Sequence, residues 1–164
     1  MLFFMAAALA GACLLVYVFW PRRKSMPLPA DCGKLSKNRV LALINPVSGS
    51  RRGRAMWRDV EAVLQERGIA SDTIVTTHSG HVREYLCSVS ADELAPFDAV
   101  VVGGGDGFIH EYFNGLRVAE MDADVLPVVV LPCGTGNGIA KSCGITTPSD
   151  TAAALLWARA KRLD

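Results

Sequence analysis

From residue 39 onward, apolar positions recur in two alternating rhythms. Short uncharged runs, Val40-Leu41-Ala42-Leu43-Ile44, Val100-Val101-Val102 and Val128-Val129-Val130-Leu131, separate longer stretches in which apolar residues return every three or four positions. The short runs predict strands over 40–44, 99–102 and 128–131, with a further strand over 73–77, and the longer stretches predict helices over 54–66, 81–89 and 109–118. In the first helix Val60, Val63 and Leu64 share a face and Gly68 stands where the helix should stop; in the second, Val82, Tyr85, Leu86 and Val89 point inward. The run at 99–102 has no polar alternation, which predicts a strand covered on both faces. Near the end, Thr147-Pro148-Ser149-Asp150 reads as a helix start, with Thr147 as N-cap, Pro148 in the first turn and Asp150 beside the unpaired N–H groups. That helix runs to about residue 161. Strands alternating with helices predict βαβ units, hence an α/β fold with a parallel sheet between two helical layers.

The leading residues follow a different rule. Residues 2–20 carry no charge and no proline, and as a helix they span roughly 28 Å, close to the thickness of a bilayer core. Tyr17 and Trp20 suit an interface, and Arg22, Arg23 and Lys24 follow at once, which orients the rest of the chain towards the cytosol. A cleaved signal peptide fits less well, because the start lacks a basic residue and Ala10-Gly11-Ala12 comes too early in the apolar run. The expected organisation is a single-pass membrane anchor at 1–21, a linker at 22–38 and one domain at 39–164. A net charge of +1 gives no field suited to nucleic acid, which is not expected as a partner. The five cysteines show no CxxC spacing and read as reduced thiols, most of them buried.

Three of the strands empty into loops of unusual chemistry, and parallel sheets bind ligands at the carboxyl ends of their strands. The first loop is Asn45-Pro46-Val47-Ser48-Gly49-Ser50-Arg51-Arg52-Gly53-Arg54, which offers hydroxyls, backbone donors and arginines suited to phosphate; a solvated basic turn explains the same arginines. The second, Gly103-Gly104-Gly105-Asp106-Gly107, lets backbone come close to an anionic ligand. It is not a dinucleotide fingerprint, since Phe108 and His110 occupy the positions that would need glycine, and the Lys141-Ser142 pair lacks a P-loop's second glycine at Ala140. Asp106 can hold Mg²⁺, accept a hydroxyl proton or cap a helix. The third loop, Pro132-Cys133-Gly134-Thr135-Gly136-Asn137-Gly138, again combines glycines with hydrogen-bonding side chains, Thr135 and Asn137, either of which could instead cap a helix beginning near Ile139.

In order and spacing, these loops resemble the catalytic domain of the diacylglycerol kinase and sphingosine kinase superfamily of lipid kinases. The family's Asn-Pro-x-Ser-Gly stands at Asn45 to Gly49, its Gly-Gly-Asp-Gly at Gly104 to Gly107 with Glu111 and Asn114-Gly115-Leu116 downstream, and its Pro-x-Gly-Thr-x-Asn at Pro132 to Asn137. The resemblance implies a three-layer Rossmann-like domain that binds ATP with Mg²⁺ and passes the γ-phosphate to the primary hydroxyl of a membrane lipid at the bilayer surface. It implies that Asn45, Pro46, Val47, Thr76, Thr77, His78, Ser79, Gly80, Gly104, Glu111, Gly134, Thr135 and Gly136 border the nucleotide. Asp106 matches the proposed catalytic base and is the candidate metal ligand. His110 before Glu111, and the Thr-x-x-x-Gly-His-x-Arg-Glu segment from Thr76 to Glu84, resemble the sphingosine and ceramide kinase branch; both histidines also fit ordinary helix-surface positions. Phe108 replaces the threonine usual after Asp-Gly.

The matching stretch corresponds to the nucleotide-binding half of a family member, and a C-terminal β-rich domain is expected as its missing complement. The competing reading is a nucleotide-binding fragment without kinase activity, serving as a regulatory or interaction module. A nicotinamide-nucleotide kinase shares the Gly-Gly-Asp-Gly turn but not the first loop or the apolar leader.

Overall fold

The uninterrupted run Val40 to Ile44 is fully buried and forms β1 (Arg39–Ile44), an inner strand of the sheet. The structure, a computed structural model, describes residues 38–122 and 125–161, with 157–161 as backbone only. The expected membrane-spanning stretch at 1–21 and the linker before Asn38 lie outside the described residues. Among those that are described, no helix is long and apolar enough to cross a membrane.

After β1 the chain continues through α1 (Gly53–Glu66), β2 (Ala70–Val75), α2 (His81–Ser88), α3 (Ala91–Leu94), β3 (Ala99–Gly104), α4 (Asp106–Val118), β4 (Val128–Pro132), α5 (Gly138–Ser142) and α6 (Pro148–Lys161). The four strands are parallel in the order β2-β1-β3-β4, so the expected α/β architecture is present. Right-handed crossovers send α1 over one face, as the chain steps from β1 to β2, and α2 and α4 over the other, as it steps back through β3 to β4. Helix packing agrees, with α1 against α6 and α2 against α4. Chain order reverses between β1 and β3, and at such a reversal the loops leaving the two strands diverge to open a crevice. In register, Ile44 lies beside Gly103 and Gly103 beside Leu131, so the loops after β1, β3 and β4 start level with one another.

The predicted helical faces are those that pack. Val60 and Leu64 are buried under α1 with Val63 at their margin, and Val82 and Leu86 are buried under α2 with Tyr85 and Val89 packed beside them. At α6, Thr147 Oγ1 accepts the N–H of Asp150 at 3.2 Å while Asp150 Oδ2 accepts the N–H groups of Thr146 and Thr147, a reciprocal cap.

Other expectations need correction. The second strand lies at Ala70–Val75 rather than 73–77, because it is an edge strand held by polar contacts that leave no apolar signature. Ser71 donates to Glu61, Asp72 takes a bidentate pair from Arg39, and Thr73 accepts the Trp57 indole N–H at 2.8 Å. Helix α4 begins at Asp106, three residues earlier than expected, since Phe108 N–H and Ile109 N–H already bond Gly105 carbonyl. The unanticipated α3 is set by a capping box between Ser90 and Glu93. Of the cysteines described, Cys133 is buried, Cys143 half-buried and Cys87 exposed, all with free thiols.

Candidate active site

Glycines bring the three loops into contact because a side chain would keep them apart. Gly49 has φ 52°, and a Cβ there would lie 2.5 Å from the Cys133 carbonyl oxygen and 2.9 Å from Gly134 carbonyl carbon. Gly134 in turn rests on the Gly105 backbone, where a Cβ would meet the Cα of Gly105. The loops after β1, β3 and β4 therefore form one surface at the carboxyl edge of the sheet.

Side chains then fix each loop. Asn45 Oδ1 accepts the Val47 N–H at 3.0 Å, turning the first loop outward and leaving Val47 67% exposed. Asn137 adopts φ 51°, ψ 43°, and its amide folds back over the third loop: Oδ1 accepts the Gly134 N–H at 2.8 Å and Nδ2 donates to the Gly134 carbonyl at 2.7 Å. Asp106 bridges the second loop to the third, with Oδ2 accepting the Gly138 N–H at 2.9 Å and Oδ1 the Ile139 N–H at 3.0 Å. These two bonds hold its carboxyl below the usual range against a small opposing effect of desolvation, and the charges of His110 and Lys141 act in the same direction as the bonds. Asp106 is thus a persistent anion. The successive N–H groups of Thr135, Gly136 and Asn137 have no acceptor among the described residues.

Beside this surface lies a groove of about 190 Å³, lined by Asn45, Pro46, Val47, Thr76, Thr77, His78, Ser79, Phe108 and Glu111. Eight of the predicted positions thus meet in one concavity, drawn from the loops after β1 and β2 and from α4. Gly80 closes its wall: with φ 92° it caps α2, and its N–H donates to Glu111 Oε1 at 3.0 Å, tying the loop after β2 to α4. Within that loop, Thr77 N–H donates to His81 Nδ1, His78 Nε2 lies 2.9 Å from Glu84 Oε2, and the His78 and His81 rings stack at 5.0 Å. Gly104, Gly134, Thr135 and Gly136 do not line the groove. Gly104 lies beneath the Phe108 ring, and Gly136 is next to Asp106, 3.6 Å from a virtual Cβ to Oδ2.

Two contributors were not among the predicted site residues. Phe108 is buried and walls the groove, and no sequence signal distinguishes that from ordinary packing. Asn137 was recognisable by its amide within the glycine loop, yet its effect is on loop shape. Arg51, Arg52 and Arg54 are exposed and form no ion pair among the described residues.

The arrangement suits a nucleoside polyphosphate, with a partly apolar groove for the base and sugar and, alongside, free N–H groups and arginines for the phosphates. Among the described residues no three His, Cys, Asp or Glu side chains cluster as a metal site. The protein's share of a Mg²⁺ shell would be Asp106, which fits an ion that otherwise keeps water and substrate phosphate as ligands.

Comparison with known proteins gives a consistent result. The model of the diacylglycerol kinase catalytic domain matches residues 39–164. Sphingosine kinase B of Dictyostelium discoideum is 34% identical over 134 residues, covering 80% of this chain and 17% of that protein. Human sphingosine kinase 1 is 37% identical over 118 residues, covering 70% of this chain and 28% of that protein. The chain therefore spans less than a third of the length of these relatives. A crystal structure of a diacylglycerol kinase from Bacillus anthracis superposes with a TM-score of 0.58 at 21% identity over 73% of this chain and 42% of that one, a likeness of fold.

Proposed function

The chain belongs to the diacylglycerol kinase catalytic-domain family, and from that membership we propose that it carries the nucleotide-binding half of an ATP-dependent lipid kinase. The acceptor is the primary hydroxyl of a membrane lipid, a sphingoid base in preference to a diacylglycerol, since both curated relatives compared are sphingosine kinases and the His110-Glu111 and Thr76 to Glu84 segments follow that branch. The observation that carries this reading is the seating of Gly49 on Cys133 and Gly134, together with the Asp106 bridge, which makes three loops into one anion-facing surface beside the groove.

Phosphoryl transfer needs positioning and charge neutralisation more than covalent help from the protein. The groove orients the nucleotide, and the unpaired N–H groups at Thr135 to Asn137 face the phosphates. The lipid hydroxyl oxygen bonds to the γ-phosphorus as the bond from that phosphorus to the bridging oxygen of ADP breaks, and the hydroxyl proton passes to Asp106. Its lowered pKa makes Asp106 a weak base that stays ionised until the proton is released, which suits a loose transition state in which the proton leaves late. Mg²⁺, when bound, neutralises phosphate charge next to that carboxylate. The apolar stretch at 2–20 would tether the domain to the cytosolic face of a membrane, where its acceptor resides.

The test is incubation of the purified full chain with Mg²⁺ and γ-labelled ATP in vesicles containing sphingosine, diacylglycerol or ceramide. Label on sphingosine is expected. Nucleotide binding with no labelled lipid would support the regulatory-module reading instead, and absence of nucleotide binding would overturn both.

A further inference from the structure

The wall of the groove formed by Thr76 to Ser79 is held by a hydrogen bond that works in only one protonation state. The Thr77 backbone N–H donates to His81 Nδ1 at 3.1 Å. A backbone N–H can only donate, so Nδ1 carries a lone pair and the proton of the neutral ring is on Nε2. His78 is built differently. Its Nε2 faces the Glu84 carboxylate at 2.9 Å, and a carboxylate accepts, so Nε2 is protonated in either charge state of the ring. Its Nδ1 meets the Thr77 hydroxyl at 2.9 Å, a partner that can donate or accept. His78 therefore tolerates a proton without losing a contact, whereas His81 would lose the Thr77 N–H and keep only the longer contact of Nδ1 with Thr77 Oγ1, 3.4 Å.

Resting on the nucleotide-binding reading above, we infer that His81 is a positioning residue for the nucleotide, holding the Thr77 backbone in the groove wall while its ring is neutral and losing that N–H bond on protonation. A second proton on His81 would place two donors, Nδ1–H and Thr77 N–H, 3.1 Å apart. The geometry adds to the effect, because the His78 and His81 rings stack nearly parallel, 10° apart, and two imidazolium rings so placed repel. The ionisable groups at this turn are His78, stacked on His81, Arg83 and Glu84 beside the adjacent Gly80, and Glu111, which accepts the Gly80 N–H. Glu84 is engaged by His78 and Glu111 by Gly80, so both carboxylates are held by other partners. Thr77 and His78 themselves line the groove, so a shift at Thr77 is a shift of the binding surface.

The experiment is titration of the full chain with MgATP at about pH 8 and about pH 5.5 for wild type, His81→Asn and His81→Ala. Asparagine offers an acceptor oxygen close to the Nδ1 position and cannot take the proton. At the higher pH, His81→Ala should bind about fivefold more weakly than wild type, as expected for one lost hydrogen bond, and His81→Asn within about twofold of it. At the lower pH, wild type should fall to the level of His81→Ala while His81→Asn keeps its advantage; the titration of ATP itself cancels in these ratios. If wild type and His81→Asn share one pH profile, or if His81→Ala binds like wild type at the higher pH, the inference is wrong while the functional reading stands. Wild type that binds no MgATP at either pH overturns both. Should His81→Ala fail to fold, the ratio of wild type to His81→Asn across pH decides alone.

Discussion

The carboxylate of Asp106, at the start of α4, accepts the backbone N–H of Ile139 at the start of α5, 3.0 Å away across the mouth of the site. With the parallel bond to Gly138, this makes the acidic residue of the second glycine loop the clasp of the third. Asp106 thus acts structurally before it acts chemically, and its substitution should be read on both scales.

Asp106→Asn leaves one acceptor oxygen for two N–H donors and turns an NH₂ group towards the other. Loss of about 1 kcal/mol of stability is expected, seen as a Tm lower by a few degrees, together with a drop in lipid phosphorylation of about a hundredfold or more. Turnover equal to wild type would rule out the base assignment. The pH dependence has a definite sign. A carboxyl held below its ordinary pKa contributes stability above the ordinary carboxylate range and loses it as pH falls through the lowered value. Urea midpoints measured from about pH 6 down to about pH 3 should therefore fall more steeply for wild type than for Asp106→Asn.

Two glycines of the site should respond in opposite ways to alanine. At Gly134 a Cβ runs into the backbone of Gly105 and lies 2.9 Å from Asn137 Oδ1, so Gly134→Ala must separate the second and third loops. At Gly107, in the first turn of α4, a Cβ meets nothing within 4 Å, and alanine is the better helix former by about 1 kcal/mol. Thermal melts should show Gly134→Ala destabilised and Gly107→Ala equal to or above wild type. Nucleotide titration of the folded Gly107→Ala protein then reports whether that glycine is kept for ligand approach.

Phe108 covers Gly104 so closely that a Cβ on the glycine would lie 2.5 Å from the ring's Cδ1. Phe108→Ala should cost about 3 kcal/mol through the cavity it leaves, measurable by denaturant unfolding. Phe108→Thr, which restores the residue common in the family, should lose less than alanine but still open the groove wall, weakening MgATP binding in a titration.

The legible part of this chain was the part written in apolar residues and glycine. The buried strands β1, β3 and β4 and the packed faces of α1 and α2 follow from period alone, because burial on both sides of a sheet leaves no room for polar residues. The edge strand β2 was placed late because Ser71, Asp72 and Thr73 are held by side chains of Glu61, Arg39 and Trp57 that are distant in sequence. In the site, proximity of loop motifs at strand ends could be read from order, but the division of labour could not. The groove takes its walls from the loops after β1 and β2, whereas Gly134, Thr135 and Gly136 sit outside it beside Asp106. That division depends on hydrogen bonds between loops, Gly80 to Glu111 and Ile139 to Asp106, which join residues 31 and 33 positions apart.

Asn137 separates backbone conformation from side-chain bonding in the third loop. Its φ of 51° favours glycine or asparagine, and its amide accepts the Gly134 N–H and donates to the Gly134 carbonyl and, at 3.4 Å, to the Pro132 carbonyl. Asn137→Gly keeps the backbone conformation and removes all three bonds; Asn137→Ala removes the bonds and adds the cost of a Cβ in the left-handed region. Asn137→Asp keeps the acceptor for the Gly134 N–H but sets a carboxylate oxygen against the Gly134 carbonyl and in front of the loop where phosphate is expected. Melting temperatures should therefore fall in the order wild type, Asn137→Gly, Asn137→Ala, with about 1 kcal/mol between the last two. MgATP affinity should follow a different order, with Asn137→Asp weakest despite its retained acceptor, because added negative charge opposes the phosphates as well as distorting the loop. Matching orders for stability and affinity would mean that Asn137 serves the fold alone.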